Sequence, residues 1–261
     1  MKLSDYQDRF PGVKFSRQDG ILQVTIHFND GPAAWGPSDG GLHTQLGEAF
    51  HCIAHDEENR IVILSGTGDT FLTEWEPGEG PSNGGTTSFW HRIYREGKDL
   101  LQNLLSIEVP MIAAVNGPVH IHAEIPTLCD LVVASEMATF ADKPHFVSGQ
   151  VPGDGAHVWW PMLLGPNRGR SFLLTGEEIG AAEGKVLGFV AEVVPKDQVL
   201  SRAWEVARNM LKLPDKTLKY TRIALTLHIK RRLLDDLGYG LQLEGLSMIS
   251  QFEQLRSQGK M

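Results

Sequence analysis

Three residues able to do acid–base chemistry recur at every second position of one short stretch: His120, His122 and Glu124 in NGPVHIHAEIP (116–126). In an extended chain that spacing sets all three on one face. Gly117 and Pro118 end an apolar run and Pro126 is placed to open a helix, so peptide N–H groups of the turn would be free to hold an anion. Two imidazoles and a carboxylate there suit acid–base work, His-x-His-plus-carboxylate ligation of zinc or iron, or plain local hydrogen bonding. A second stretch, KPHFVSGQVPGDGAHVWW (143–160), carries His145 and Asp154. A buried aspartate reaching His145 would raise the basicity of the imidazole and fix which nitrogen holds the proton. Asp154 in PGDG is equally a turn residue, and His157 is the alternative partner. No further His/Cys cluster of metal-ligand spacing accompanies them, so the sequence predicts no metal and no other cofactor.

The elements that must hold these residues alternate in type. Residues 21–28, 61–66, 111–117 and 131–135 read as strands, the last three as short apolar runs buried on both faces. Residues 138–143 read as a further short strand. Helical patterns fill 42–56 and 89–107, an alternation typical of stacked βαβ units in an α/β fold. The polar, glycine-rich segment 76–88 reads as a surface loop near a ligand entrance. Beyond residue 197 come three amphipathic helices, 197–213, 214–237 and 241–258, the second opened by Pro214. The division expected is a core domain over 1–196 and a helical oligomerisation region over 197–261, whose apolar stripes exceed what one core covers.

Bulk properties narrow the partners. The 261 residues are 41% hydrophobic and 21% charged, with a net charge of −8. That balance disfavours nonspecific binding to nucleic acid or an anionic membrane. The basic cluster HIKRRLL (228–234) reads as a solvated helical face or a phosphate-docking site. No apolar run approaches the ~20 residues of a membrane helix, and the N-terminus lacks a secretory core segment. Cys52 and Cys129 read as buried thiols, and a reducing cytoplasm is the expected compartment. A small-molecule substrate is the expected partner.

Taken together the segments resemble the crotonase (enoyl-CoA hydratase/isomerase) superfamily. The landmarks are IVILSGTGDTFL (61–72), VPMIAAVNGPV (109–119), CDLVVASEMATFA (129–141), GQVPGDGAH (149–157) and FLLTGEEIGAAEGKVLGFVAEVVP (172–195). The resemblance implies a spiral of ββα units with a C-terminal helical trimerisation region, assembled as a trimer or dimer of trimers. The departures are chemical. CoA-using members form a thioester oxyanion hole from peptide N–H groups of a glycine triplet and of a small-residue loop. Here the first element reads HIHAEI and the second FLTEWEP (71–77), so Ile121, His122, Glu74 and Trp75 are expected to crowd a thioester. His145 stands where the family has a catalytic glutamate, and Glu124 aligns with the other.

HAEIP, PHF, SGQVPGDGAHVWWP and NRGR instead resemble the β-diketone hydrolase branch, typified by 6-oxocamphor hydrolase. That resemblance implies retro-Claisen cleavage of a C–C bond between two carbonyls, without CoA or metal. It also implies roles: His145, oriented by Asp154, deprotonates water; His122 stabilises the oxyanion; Glu244 positions the water or a histidine; Trp35 orients a carbonyl through its indole N–H. Phe89, Trp90 and Trp159 are candidates for pocket lining or for core packing. The competing readings are a CoA-dependent hydratase or isomerase and a non-catalytic scaffold.

Overall fold

Alternating residues of the aliphatic runs face two separate apolar clusters, and this accounts for the sheet. The computed structural model describes residues 1–78 and 86–259. Strands β1 (Val13–Gln18), β2 (Ile21–Ile26), β4 (Ile61–Ser65), β6 (Met111–Val115), β7 (Leu131–Ser135) and β10 (Glu192–Val194) form one sheet in that order. Only β1 against β2 is antiparallel; the other pairings are parallel. Ile61, Ile63, Ile112, Ala114 and Val133 face one cluster with helix α7 (Val199–Met210). Val62, Leu64, Met111, Ala113 and Val132 face the larger cluster, with helices α1 (Leu42–Ala54) and α2 (Thr87–Ser106). Cover on both faces is why these strands read as unbroken apolar runs.

Smaller elements carry the chain between sheet and site. β3 (Ala34–Trp35) pairs in parallel with β5 (Glu74–Trp75), and β8 (Thr139–Phe140) pairs antiparallel with β9 (Ile179–Gly180). Helices α3 (Glu124–Thr127), α4 (Ala156–Leu164), α5 (Pro166–Thr175) and α6 (Ala181–Leu187) complete the core. The strand expected over 138–143 contracts to β8. Of the polar segment 76–88, residues 79–85 lie outside the described residues. Thr86 ends it by capping α2, its hydroxyl accepting from Phe89 N–H at 3.2 Å. Cys52 and Cys129 are buried free thiols.

The C-terminal region departs from expectation: two helices form, not three. Beyond α7, residues Asp215–Ser257 make one 43-residue helix, α8, with Pro214 at its N-cap. At 1.5 Å per residue it is about 65 Å long. Gly238 and Gly240 suggest a break, since each glycine costs a helix roughly 1 kcal/mol. Close backbone packing outweighs that cost. A Cβ on Gly240 would overlap His157 and the Gly153 carbonyl oxygen, and one on Gly245 would overlap the Trp90 indole. Trp90 Nε1 donates to the Leu241 carbonyl at 3.0 Å. The loop before α4 is pinned to the same helix: Val151 N–H donates to Ser247 Oγ at 3.2 Å, and Gln251 Nε2 to the Gly149 carbonyl at 2.5 Å. At the other end, buried Arg222 donates from Nε to Asp130 Oδ2 at 2.7 Å, and that oxygen also accepts Met111 N–H. Helix α8 therefore ties the starts of β6 and β7 to the loop that carries Asp154.

Gly240→Ala should force α8 off this loop. The expected loss is about 1–3 kcal/mol of unfolding free energy in chemical denaturation, the usual cost of overpacking, with a larger fractional loss of any activity that depends on Glu244.

Candidate active site

The turn after β6 does not stay extended, and this decides which of its residues meet. Leu72 O accepts both His120 N–H (2.9 Å) and Ile121 N–H (3.2 Å), so these peptide groups are not free for an anion. His120 turns away, its Nε2 lying 2.7 Å from Thr139 Oγ1 and 3.7 Å from Glu178. The expectation of three residues on one face fails because the chain bends and then enters α3. His122 sits at φ +49°, a left-handed conformation that favours glycine. A histidine thus occupies a glycine-like backbone, and its imidazole projects where a glycine would leave space.

His122 Nδ1 lies 2.5 Å from Glu124 Oε1 and 3.2 Å from Asp154 Oδ2. The same Asp154 oxygen is 3.3 Å from His145 Nε2, and Glu244 Oε1 reaches that nitrogen at 3.7 Å from α8. Trp35, at the end of β3, packs its ring 4.1 Å from that of His122. The residues singled out in the sequence, His122, His145, Asp154, Glu244 and Trp35, therefore share one place. His157 does not join: its Nδ1 faces the Pro152 carbonyl at 3.0 Å. Of the four residues expected to crowd a thioester, only His122 meets the cluster. Ile121 belongs to the core, while Glu74 and Trp75 are exposed. Trp90 and Trp159 serve packing, with the Trp159 indole donating to Thr127 Oγ1 at 2.9 Å.

Three residues at or beside the site had no role from sequence. Asp142 Oδ1 lies 2.5 Å from His145 Nδ1, so the Asp154 carboxylate meets the opposite nitrogen from the one an orienting partner would take. Asp142 is three residues ahead of His145 across a turn, and that i,i+3 spacing was the available signal. His43, from α1, puts its ring 5.3 Å from Trp35 and 6.1 Å from His122. Glu96 of α2 lies 3.4 Å from His43 Nδ1. Nothing local in the sequence links these two helices' residues. A cavity of 670 Å³ between α1 and α2 is lined by His43, Thr44 and Glu96 among others. Neither Trp35 nor His122 lines it; His43 stands between the cavity and that pair.

Burial sets the electrostatics. His145, Asp154, Glu124 and Glu244 are all under 7% exposed. Desolvation alone would discharge each of them. For His145 it is overcome by the charges of Asp154 and Asp142, which hold the imidazole well above its usual value. His122 is likewise raised against burial, by Glu124 and Asp154. Burial pushes Glu244 up to about 8, so at pH 7 it is a neutral acid able to donate. Burial and the Asp154 charge raise Glu124. Asp154 stays ionised: burial works against its charge, but the two imidazoles hold it far below the carboxylate range. His43, with burial dominant, is held low. The result is one fixed anion between two proton-bearing rings, with a neutral acid alongside.

Among the described residues two overlapping sets have the donors to hold a cation, His122–Glu124–Asp154 and His145–Asp154–Glu244, each with donor atoms within 4.8 Å of one another. No helix among the described residues is long and apolar enough to cross a membrane.

With the parallel sheet, the turn after β6 and the long C-terminal helix in place, comparison with known proteins settles the class. Residues 17–246 match the enoyl-CoA hydratase/isomerase family, and the chain belongs to this family, within the crotonase superfamily. A Mycobacterium tuberculosis protein named as an enoyl-CoA hydratase is 30% identical, covering 88% of this chain and 76% of its own. A β-diketone hydrolase from the cyanobacterium Anabaena sp. PCC 7120, solved with bound (S)-3-oxocyclohexyl acetic acid, is 41% identical. It superposes with a TM-score of 0.90 over 94% of this chain and 97% of its own. An enoyl-CoA hydratase/isomerase from Mycobacterium paratuberculosis gives 25% identity and a TM-score of 0.85 over 93% and 95%.

Two outcomes follow from this geometry. His122→Gly should be more stable than His122→Ala by about 1 kcal/mol in urea denaturation, because only glycine relieves the left-handed strain. Glu244 carries a raised folded pKa, so its stabilising contribution is complete below the unfolded carboxyl value and is lost as pH rises through about 8. Glu244→Gln should accordingly lose less stability than wild type between about pH 5 and pH 8, with no further divergence above that, measured by thermal melting.

Proposed function

We propose that the protein is a hydrolase that cleaves the C–C bond between the two carbonyls of a β-diketone. The observation that carries this reading is the buried His122–Asp154–His145 constellation, set where the turn's His120 and Ile121 N–H groups are already consumed by Leu72. An acyl-transfer site needs donors aimed at a developing oxyanion. Here an imidazole is the donor at hand. Both close carboxylates of His122 face Nδ1, so Nε2 is the nitrogen left to meet a substrate oxygen.

The steps balance without a further reactant. In its neutral form His145 takes a proton from water through Nε2, and the hydroxide oxygen bonds to one carbonyl carbon. The oxyanion that forms is held by His122. The C–C bond then breaks, its electron pair passing into an enolate stabilised by the second carbonyl, and the first carbonyl becomes a carboxylic acid. His145 returns the proton to the enolate carbon. Asp154, ionised between the two rings, stabilises each imidazolium in turn, while neutral Glu244 supplies a hydrogen bond to the water. Trp35 fixes the plane of His122.

The Anabaena hydrolase supports a cyclic substrate. A ring ketone bearing an acetic acid arm is what water addition to a bicyclic β-diketone yields, one carbonyl opened to the acid and the other kept. The hydratase reading has the named sequence relatives in its favour, but the consumed N–H groups weigh against it, and acyl-CoA binding in calorimetry would revive it. Self-association through α8 belongs to the same proposal. Leu225, Leu234, Tyr239 and Leu246 stand exposed along it, and a trimer or dimer of trimers would cover them.

In a panel of cyclic and acyclic β-diketones followed by loss of enol absorbance, wild type should turn over and survive EDTA dialysis. His145→Ala and Asp154→Asn should each lose about 10²–10⁴-fold in kcat while remaining folded, the usual worth of a positioned base. Activity that vanished with EDTA and returned with zinc would overturn the water–imidazole mechanism.

A further inference from the structure

His145 is faced by charged or titratable groups from four directions: Asp142 in its own loop, Asp154 ahead of α4, Glu244 on α8, and His122 beyond Asp154. A neutral imidazole keeps one ring proton, and the tautomer is set by the hydrogen bond the protonated nitrogen makes. The two nitrogens face unequal partners. On the Nδ1 side Asp142 stands at 2.5 Å, 5% exposed, and its second oxygen is buried without a hydrogen-bond partner. On the Nε2 side Asp154 stands at 3.3 Å, and the same oxygen lies 3.2 Å from His122. Glu244 on that side is farther, at 3.7 Å, and neutral at pH 7.

We infer that Asp142, and not Asp154, is the positioning residue that fixes His145, holding the proton on Nδ1 and turning the Nε2 lone pair toward the site shared by Asp154 and Glu244. The undivided carboxylate at the shorter distance is the stronger acceptor. A lone pair pointed at Asp142 would be closed off by a contact of 2.5 Å, whereas Nε2 faces no partner so close, with Asp154 at 3.3 Å and Glu244 at 3.7 Å. Asp154 then has a different role, neutralising both rings from the working side. The two aspartates are not interchangeable, although both raise the basicity of His145. The kinetic consequences rest on the hydrolase reading; the tautomer assignment does not.

Histidine-15N-labelled full-length protein separates the two aspartates. A downfield proton resonance correlated with His145 Nδ1 is expected in wild type and in Asp154→Asn, and should be lost in Asp142→Asn. An asparagine there can donate its own N–H to Nδ1 and enforce the wrong tautomer. With a β-diketone, Asp142→Asn should lower kcat by at least about 10²-fold, as a wrong tautomer does in a related dyad, with KM changed less than about threefold. Loss of one of the charges that elevate His145 should also move the acid limb of kcat/KM to lower pH, and Asp142→Glu should recover part of kcat. Should Asp142→Asn not fold, Asp142→Ser takes its place. The resonance surviving in Asp142→Asn, or vanishing in Asp154→Asn, overturns the inference, as does a kcat in Asp142→Asn within about threefold of wild type. The expected resonances without any diketone turnover in wild type would support the tautomer assignment and remove the proposed function.

Discussion

One carboxylate oxygen, Asp154 Oδ2, lies within 3.3 Å of two different imidazoles in an interior almost closed to water. Burying such an anion unpaired costs several kcal/mol, and two rings that each keep a proton offset it. Every other feature of the cluster answers to that exchange. Glu244 is neutral because burial, helped by the Asp154 charge, outweighs the pull of the two imidazoles. His122 tolerates a left-handed backbone because its ring is held by Glu124, Asp154 and Trp35 together. Removing the central anion would take away a charge that raises both imidazoles against their burial.

The arrangement depends on contacts made far from the chemistry. Asp154 is placed by a loop whose Gly153 meets Gly240 of α8 backbone to backbone, and the same helix delivers Glu244 one turn further on. Helix α8 is in turn anchored at its start by buried Arg222 on Asp130. Site and scaffold are coupled through small residues, and a methyl group at one of them would separate the carboxyl groups of Asp154 and Glu244.

Much of this was legible in the sequence, and the exceptions have physical causes. The central strands were clear because cover on both faces makes them continuous apolar runs. His122, His145 and Asp154 stood out by residue type and position in two short stretches, whereas Glu244 and Trp35 were found only through the resemblance. Spacing misled at His120, since alternation orders side chains only while the chain stays extended, and here it bends. It misled again in α8, where glycines needed for close packing resemble a helix break. Asp142 was hidden because its role depends on which nitrogen of His145 it meets, and that is set by a turn rather than by residue type. His43 and Glu96 face each other from two helices, and only their packing brings them to the site.

The central claim is that this cluster directs water to a carbonyl of a free β-diketone and does not act on a CoA thioester. Turnover of a bicyclic β-diketone in H₂¹⁸O, in the absence of CoA, tests it most directly. Mass spectrometry of the keto acid should show one ¹⁸O in the new carboxyl group after the first turnover. Product without the label in that group, or formed only when CoA is supplied, would contradict the account.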